Sequence, residues 1–312
     1  MASAARPGAG TPLEPPQRLV RALAEEDVDA GKEWLRGLSE ALGEALDRWE
    51  LDFERVLTPG GRSALITLVR QPDGTPAVLK LLAPDARSRP EHAALALWDG
   101  WGAVRLLDAD PDSGALLLER LHGEVGLSSL PEGKAQLEAA GTVRKLWVDP
   151  GENHPFASVA DRTARAAEAL RAAVADPAAE SAGPMVDEAL AVREELADAP
   201  PESVLLHGRF RQGKVLSAER VPWVAVGPQP LVGERAYDLA RLVRDRLEDL
   251  VASPGGAAAA RRRVAKLADS LDVDHERLRG WTLFRAVESG VRALSVGRPQ
   301  DGELLLEFAG WL

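Results

Sequence analysis

The sequence predicts an α+β protein with a small antiparallel sheet in its N-terminal part and a larger, helical C-terminal part. Three short apolar runs separated by turn residues lie between residues 52 and 82, which is typical of an antiparallel strand meander. Long Ala-, Leu- and Arg-rich segments at 132–147, 158–175 and 184–198 show helical periodicity. A strand-rich insert at 203–228 interrupts these helices, and helical patterns resume from about residue 236.

The change in texture along the 312 residues indicates two lobes behind a short leader. Residues 1–16 are rich in Pro, Gly and Ala and lack the apolar stretch of a signal peptide, so we expect a flexible leader. We expect an N-terminal lobe over 17–121, with two leading helices, a sheet and a hinge strand. A helical C-terminal lobe is predicted over 122–312. From the pattern alone, an unrelated α+β domain is the second choice.

The elements of the N-terminal lobe follow from spacing. Residues 17–48 predict two helices, because apolar residues recur on one face of each, among them Leu19 and Leu23, then Trp34 and Leu38. Strands are predicted for the three runs that follow, with a glycine turn at the first corner. A helix is predicted over 90–98, and its expected buried stripe consists of Ala93, Ala94, Leu97 and Trp98. Two further strands follow at 103–110 and 114–121.

Composition excludes several classes of function. The formal net charge of -11 argues against a general nucleic-acid binder. No apolar run approaches the roughly 20 residues needed to span a bilayer. With 0 cysteines, the chain has no disulfide, thiol nucleophile or thiolate metal site, and we expect a cytoplasmic protein. A local basic segment in so acidic a chain is therefore informative.

Two segments around the insert carry a family resemblance. The sequence VLLHGRFRQGKVL at 204–216 and PWVAVGPQPLVGERAYDLA at 222–240 resemble the motifs HGDxHxxNVL and IDPKPLVGDPAYD. These motifs belong to the streptomycin (aminoglycoside) and hydroxyurea phosphotransferase family. The upstream segments at 77–121 match in order and spacing as well, so the resemblance covers about 50–312. It implies a bilobed, protein-kinase-like fold of the aminoglycoside phosphotransferase type.

This sequence keeps the residues that the resemblance assigns to the upstream half of a nucleotide site. Phosphoryl transfer needs a lysine on the phosphates, magnesium on oxygen ligands, and a carboxylate that orients the acceptor hydroxyl. Lys80 lies at the position of the phosphate-binding lysine, and Glu91 follows in the next helix, where we expect it to pair with Lys80. The resemblance further assigns the nucleotide loop to Gly60, Gly61 and Ser63, and the adenine-binding hinge to the strand that carries Glu119 and Leu121.

The downstream half departs from the family pattern. Arg209 stands at the position of the catalytic aspartate, and Arg211 at that of a histidine. Lys214 and Gly227 stand at the positions of the metal-binding asparagine and aspartate. No catalytic residue and no metal ligand is therefore predicted. Arg209, Arg211 and Lys214 would instead repel magnesium and attract an anion, since guanidinium groups suit phosphate. Neutral decay of an exposed loop, or salt bridges to nearby acids, would explain the same three cations.

Three nearby residues receive structural interpretations. Asp238 matches a late family aspartate that resembles a brace for the catalytic loop, and Glu234 matches a second acid. Neither lies where the metal ligands belong, so we expect no rescue of the metal site by them. His207 keeps its family position, where the histidine supports the loop backbone.

Three functions remain open at this point. The first is a pseudokinase that acts as a binding or regulatory module, with ATP, another nucleotide or a small anionic ligand held without magnesium. The second is a repurposed enzyme that uses the kinase cleft on an anionic substrate. The third is a residual ATP-dependent phosphotransferase acting on an alcohol. The prediction includes no nucleic-acid or membrane partner and leaves room for a protein partner.

Overall fold

The computed structural model of the protein describes residues 13–25, 28–87, 90–177 and 179–312. The described chain divides into two compact units. The first comprises the described residues up to Gly123 together with Ala218–Val224, and the second comprises Glu124–Ser217 and Ala225–Leu312. Of the predicted leader, residues 1–12 lie outside the described residues. In the described part of the chain, no helix has the length and apolarity needed to cross a membrane.

The first unit begins with two helices, α1 (Gln17–Ala24) and α2 (Val28–Arg48). The predicted apolar faces are buried, since Leu19 and Leu38 are each at most 1% exposed. Both helices share one apolar core with the inward side chains of the following sheet, such as Leu65 and Leu79. This core joins residues far apart in sequence and accounts for burial of the helices within their own unit.

A five-stranded antiparallel sheet forms the centre of the first unit. Its order is β1-β2-β3-β5-β4, and each neighbouring pair is antiparallel. The first three strands form the meander that the sequence predicts. The strands are β1 (Asp52–Val56), β2 (Ala64–Arg70), β3 (Pro76–Leu82), β4 (Leu106–Asp110) and β5 (Ala115–Glu119).

Between β3 and β4 the chain forms α3 (Pro84–Arg87) and α4 (Glu91–Trp98). The predicted stripe of α4 is partly wrong, because Leu97 is 45% exposed. The buried residues are instead Glu91, Ala94, Leu95 and Trp98. These four recur at the three- and four-residue spacing of one helical face, which excludes Leu97. Glu91 therefore lies on the buried stripe itself.

The second unit is mainly helical. Its helices are α5 (Glu132–Val143), α6 (Val159–Ala173), α7 (Gly183–Asp198), α8 (Arg235–Val243), α9 (Leu247–Ala252), α10 (Gly256–Leu271), α11 (His275–Ser295) and α12 (Pro299–Ala309). The long helix α11 is the central one, since it packs against α6, α7, α8, α10 and α12. The three predicted helices at 132–198 are confirmed as α5, α6 and α7.

Short strands position the loop in which the basic residues lie. Strand β11 (Leu231–Gly233) pairs with β7 (Ala157–Ser158) on one side and with β8 (Val204–Leu206) on the other. Strand β8 leads directly into the loop 207–214, and β11 leads directly into α8. A second small sheet has the order β10-β9-β6 and contains β6 (His122–Gly126), β9 (Val215–Ser217) and β10 (Trp223–Ala225).

Candidate functional site

In the first unit, Lys80 and Glu91 form a buried ion pair. The Lys80 Nζ atom lies 2.5 Å from Glu91 Oε1 and 2.6 Å from Oε2. The two residues are only 8% and 4% exposed. Strand β3 holds the lysine, which faces Leu116 of β5 in the ladder, and the buried stripe of α4 holds the glutamate. The expected pairing is thus present, whereas a role of the pair in binding a nucleotide stays a prediction.

Gly60, Gly61 and Ser63 form a tight corner between β1 and β2. Gly60 has a φ of +72°, and a Cβ atom there would lie 2.9 Å from the carbonyl oxygen of Leu57. A Cβ atom on Gly61 would lie 2.8 Å from the carbonyl oxygen of Ala64. Only glycine fits both positions without a shift of backbone. The corner is further fixed where the Ala83 N–H donates to the carbonyl of Ser63 at 3.0 Å.

On the predicted hinge strand, Glu119 forms an ion pair with Arg220 that the sequence did not indicate. The guanidinium of Arg220 donates to both carboxylate oxygens of Glu119 at 2.8–3.1 Å and to the carbonyl of Ala103 at 2.9 Å. The Arg105 N–H donates to the same carboxylate at 2.7 Å. Glu119 is therefore committed to internal contacts. Of the predicted hinge residues, Leu121 accepts a hydrogen bond from the Gly123 N–H at 3.0 Å.

In the second unit, Asp238 braces the start of the 207–214 loop. Its two carboxylate oxygens accept the N–H groups of His207 and Gly208, each at 2.9 Å. Burial raises the pKa of Asp238, although the His207 N–H and the nearby Arg285 guanidinium favour the charged form. Asp238 therefore braces the backbone of the loop, as the family resemblance implies.

His207 supports the loop backbone through both ring nitrogens. Its Nδ1 atom accepts the Arg209 N–H at 3.2 Å. The Nε2 atom lies 3.2 Å from the carbonyl of Val226, so the ring proton belongs on Nε2, which then donates to this carbonyl. Both nitrogens are occupied by backbone groups, which leaves the ring no free nitrogen for acid–base chemistry.

Arg285 of α11 is a further support that sequence reasoning missed. It is 2% exposed and donates to the carbonyls of Gly208 at 2.8 Å and Tyr237 at 2.9 Å. Its guanidinium also stacks 4.2 Å from the centre of the Tyr237 ring. Gly208 has a φ of +74°, and a Cβ atom there would overlap the carbonyl oxygen of Gln229. This sharp glycine turn directs the chain into Arg209.

Lys214 and Gly227, the two positions assigned to metal ligands, lie against each other. The Lys214 Nζ atom is 3.3 Å from the carbonyl oxygen of Gly227. The same atom is 2.6 Å from the place where a Cβ atom on Gly227 would lie. Gly227 has a φ of +59°, which is costly for most residues with a side chain. An ammonium group thus occupies the space into which a carboxylate at position 227 would extend.

The acids near this loop are committed elsewhere. Glu234 is 2% exposed, and its carboxylate accepts three hydrogen bonds at 2.6 Å, two from Arg277 and one from the Trp281 Nε1 atom. Asp238 is occupied by the backbone brace. Within the described ranges, no group of three or more His, Cys, Asp or Glu side chains is arranged to hold a metal ion. The residues at the predicted metal positions therefore do not fit magnesium.

Asp245, directly after α8, holds the middle of the loop. Its Oδ2 atom accepts the Gln212 N–H at 2.6 Å, and Arg246 donates to the Gln212 side chain at 3.2 Å. Burial raises the pKa of Asp245 to about 6, against the opposing effects of the Gln212 N–H and of Arg211 and other arginines. This raised pKa makes the stability of the folded protein depend on pH.

We expect the Asp245→Asn variant to lose a pH dependence that the unchanged protein has. Between the ordinary pKa of 3.8 and about 6, the folded protein holds the Asp245 proton more tightly than the unfolded chain. The unchanged protein therefore loses stability as the pH rises through this window, by up to about 1.4 kcal/mol per pH unit. Urea unfolding at several pH values measures this slope. Asp187→Asn, at an exposed position of α7, is the control, and identical slopes for the unchanged protein and Asp245→Asn would contradict the assignment.

Comparison with solved structures defines the class of protein. The aminoglycoside phosphotransferase APH(4)-Ia, a thermostable mutant solved with ADP and hygromycin B, matches with a TM-score of 0.60 at 14% identity, over 86% of this chain and 96% of that one. The choline kinase LicA from Streptococcus pneumoniae matches with a TM-score of 0.60 at 9% identity, over 88% and 99%. The protein thus has the kinase-like fold of small-molecule phosphotransferases.

Sequence relatives define the family. Residues 48–297 match the family described as aminoglycoside/hydroxyurea antibiotic resistance kinase. A streptomycin 6-kinase of Streptomyces glaucescens is 34% identical, over 95% of this chain and 94% of the relative. A hydroxyurea phosphotransferase of Kitasatospora aureofaciens is 35% identical, over 95% and 84%. The chain belongs to the aminoglycoside/hydroxyurea antibiotic resistance kinase family, and the predicted family and fold class are confirmed.

Proposed function

We propose that this member of the family is a pseudokinase, a binding or regulatory module that holds a nucleotide or another small anion without magnesium and transfers no phosphoryl group. The binding residues proposed in the first unit are Lys80, Glu91, the Gly60–Gly61 corner with Ser63, and the hinge strand at Glu119 and Leu121. Those proposed in the second unit are Arg209, Arg211 and Lys214. The observation that carries the proposal is the contact between Lys214 and Gly227.

This contact puts a positive charge where the family resemblance expects a metal ion and its oxygen ligands. Magnesium requires near-octahedral oxygen coordination, usually including a carboxylate. Lys214 offers no acceptor, and Gly227 offers only a backbone carbonyl, which already lies 3.3 Å from the lysine ammonium. A dication placed about 4 Å from this ammonium would be repelled by about 8 kcal/mol at an effective dielectric constant of about 20.

Arg209 removes the second requirement of phosphoryl transfer. A guanidinium stays protonated in proteins and presents only donors, so it accepts neither a proton nor a hydrogen bond from an acceptor hydroxyl. Loss of a positioned base alone costs about 10²–10⁴ in rate. With the base and both metal-ligand positions changed together, the site lacks the groups on which the reaction depends.

The retained elements support binding rather than loss of the site. The buried Lys80–Glu91 pair is costly to desolvate. If the pair bound no ligand, apolar residues at positions 80 and 91 would make the protein at least as stable. The three loop cations replace the charge that magnesium would supply to the phosphates. A lysine ammonium is thus proposed to act as a fixed, metal-free counter-charge.

A residual phosphotransferase acting on an alcohol is the second candidate. It is favoured by the intact Lys80–Glu91 pair and by relatives that are named as a streptomycin 6-kinase and a hydroxyurea phosphotransferase, at 34% and 35% identity. This candidate requires a metal held by groups other than residues 214 and 227. It predicts that nucleotide binding depends on magnesium, which is the opposite of the pseudokinase proposal.

Thermal denaturation with ADP in the presence of EDTA tests the proposal. We expect ADP to raise the melting temperature of the unchanged protein without metal, because a ligand that binds the folded state stabilises it. Lys214→Met is expected to abolish most of this shift, since it keeps the stem of the side chain and removes the ammonium. Lys266→Met, which removes an exposed lysine on α10, is the matched control and should keep the full shift. A shift that appears only when magnesium is added would contradict the proposal.

A further inference from the structure

We propose that four arginines of the second unit, Arg209, Arg241, Arg244 and Arg285, form a binding subsite for the phosphate group of a phosphorylated small molecule. We call them the arginine cluster. The inference rests on the proposed function for its location, because Arg209 stands where the family resemblance places the group that orients the acceptor. The phosphorylated small molecule would be a second ligand, beside the nucleotide of the proposed function.

The cluster connects the end of α8 with α11 and the start of the 207–214 loop. Arg285 donates to this carbonyl at 2.8 Å, and Arg209 follows Gly208 in the chain. Arg244 donates to the main-chain carbonyl of Arg285 at 3.1 Å. Arg241 lies three residues before Arg244, which places both on one side of the end of α8. Helices α8 and α11 and the 207–214 loop therefore contribute cations to one place.

Arg241 differs from the bracing arginines in its contacts. Its Nε atom is buried and has no hydrogen-bond partner among the described residues. Burial, followed by the charges of Arg285, Arg244 and Arg209, lowers the pKa of Arg241 well below its ordinary value. Burial and Arg285 also lower the pKa of Arg244 to about 10. The charges of Arg285, Arg244 and Arg209 thus disfavour the charged form of Arg241, and an anion between these groups would relieve the repulsion.

The neighbouring carboxylates offset only part of this charge. Glu288 of α11 already binds Arg162 at 2.6 Å. Burial opposes ionisation of Glu288, yet Arg162, Arg285 and Arg241 together hold its pKa below the ordinary value, so it counts as one full negative charge. Asp245 accepts the Gln212 N–H and Asp238 accepts two loop N–H groups. Asp245 and Asp238 thus brace the loop and Glu288 is shared with Arg162, while the Arg241 Nε atom has no hydrogen-bond partner among the described residues.

The chemistry of the cluster selects the class of ligand. A phosphate monoester carries about -1.5 to -2 charges near pH 7 and three acceptor oxygens. Guanidinium groups match it through forked, charge-assisted hydrogen bonds. An aminoglycoside carries several ammonium or guanidinium groups and would be repelled by the same residues. The cluster therefore favours a phosphorylated small molecule over the polycationic acceptors after which several relatives are named.

Isothermal titration with glucose 6-phosphate, glucose and inorganic phosphate tests this subsite. We expect glucose 6-phosphate and inorganic phosphate to bind the unchanged protein and glucose not to bind. Arg241→Met should weaken phosphate binding by about ten- to a hundredfold, the effect of one charged hydrogen-bond donor. Arg262→Met, which removes an exposed arginine of α10, should leave binding unchanged. Equal binding by the two variants, or no phosphate binding by the unchanged protein, would overturn the proposal.

Two further measurements separate this inference from the proposed function and from misfolding. Lys214→Met should lose ADP binding and keep phosphate binding. If the unchanged protein binds phosphate but no ADP, only the proposed nucleotide role is refuted. Arg241→Lys keeps the charge and should retain part of the affinity. If the two variants have the same melting temperature but only Arg241→Met loses phosphate binding, the loss is caused by the missing positive charge and not by misfolding. Displacement of phosphate by streptomycin would count against the assigned ligand class.

Discussion

A variant carrying Arg209→Asp, Lys214→Asn and Gly227→Asp together is expected to release ADP from ATP at least about a hundredfold faster than the unchanged protein when magnesium is present. The three changes restore a carboxylate at the base position and oxygen ligands at the two metal positions. They also remove two cations, which lets a dication approach. The rate is measured as ADP released over time, with water as the acceptor.

All three changes are needed together. Gly227→Asp alone would bring its new Cβ atom to within 2.6 Å of the present position of the Lys214 Nζ atom, so an internal salt bridge is expected in place of a metal site. The left-handed backbone at position 227, with a φ of +59°, is among those that aspartate tolerates better than most residues. We therefore expect that the triple variant folds.

A control variant applies a similar change of charge away from the loop. Arg262→Asp, Lys266→Asn and Gly255→Asp alter one end and one face of α10, and a side chain on Gly255 meets nothing within 4 Å. This control should release ADP no faster than the unchanged protein. An unchanged protein that already matches the restored variant would show that the chain is an active phosphotransferase.

Replacing Asp238 by Ala is expected to destabilise the second unit by about 3–5 kcal/mol. Two buried N–H groups, those of His207 and Gly208, lose their acceptor, and each such loss costs about 1–3 kcal/mol. Arg285 keeps its charge in a buried place while one of its nearby carboxylates disappears. The loop start, with Arg209 behind it, should then lose its fixed position.

Urea unfolding followed by far-ultraviolet circular dichroism measures the loss, and hydrogen exchange locates it. The amides of His207 and Gly208 should lose protection in Asp238→Ala, because both donate to the Asp238 carboxylate at 2.9 Å. Asp269→Ala, at an exposed position of α10, is the control. Unchanged protection of both amides, with stability equal to that of the control, would contradict the bracing role.

The parts of the fold that the sequence predicts are those that local periodicity determines. Apolar residues four apart predicted α2, and three apolar runs between turn residues predicted the meander of β1, β2 and β3. The predicted stripe of α4 includes Leu97, which is exposed, and omits Leu95, because the apolar residues of this short helix do not by themselves fix which face is buried. Strands β7 and β11, of two and three residues, are too short to show a period and depend on tertiary pairing.

The candidate site was predicted only where the family motifs name a position. The motifs pointed to Lys80, Arg209, Lys214 and Gly227, but they gave no sign that Lys214 touches Gly227. Arg285 lies 77 residues from the Gly208 carbonyl that it binds, so no local pattern connects them. Arg241, Arg244 and Asp245 looked like ordinary polar residues at the end of an amphipathic helix. Their importance comes from burial and from the charges that folding brings together.

The Lys80–Glu91 pair and the basic 207–214 loop together suggest a change of ligand chemistry. The first retains the arrangement that the family resemblance implies for phosphate binding, whereas the second exchanges acidic and amide groups for cations. Simple decay would not require the new side chains to be cationic. The positive charge at positions 209, 211 and 214, where the family motif has an aspartate, a histidine and an asparagine, agrees with the anionic ligand that we propose.

Calorimetric titration of ADP into the unchanged protein, once with EDTA and once with magnesium, tests the central claim most directly. We expect a measurable affinity in EDTA and an equal or weaker affinity with magnesium, because in the proposed site Lys214 supplies the positive charge and repels the metal complex. The Lys214→Asn and Gly227→Asp double variant should reverse this preference. An unchanged protein that binds ADP only when magnesium is present would contradict the claim.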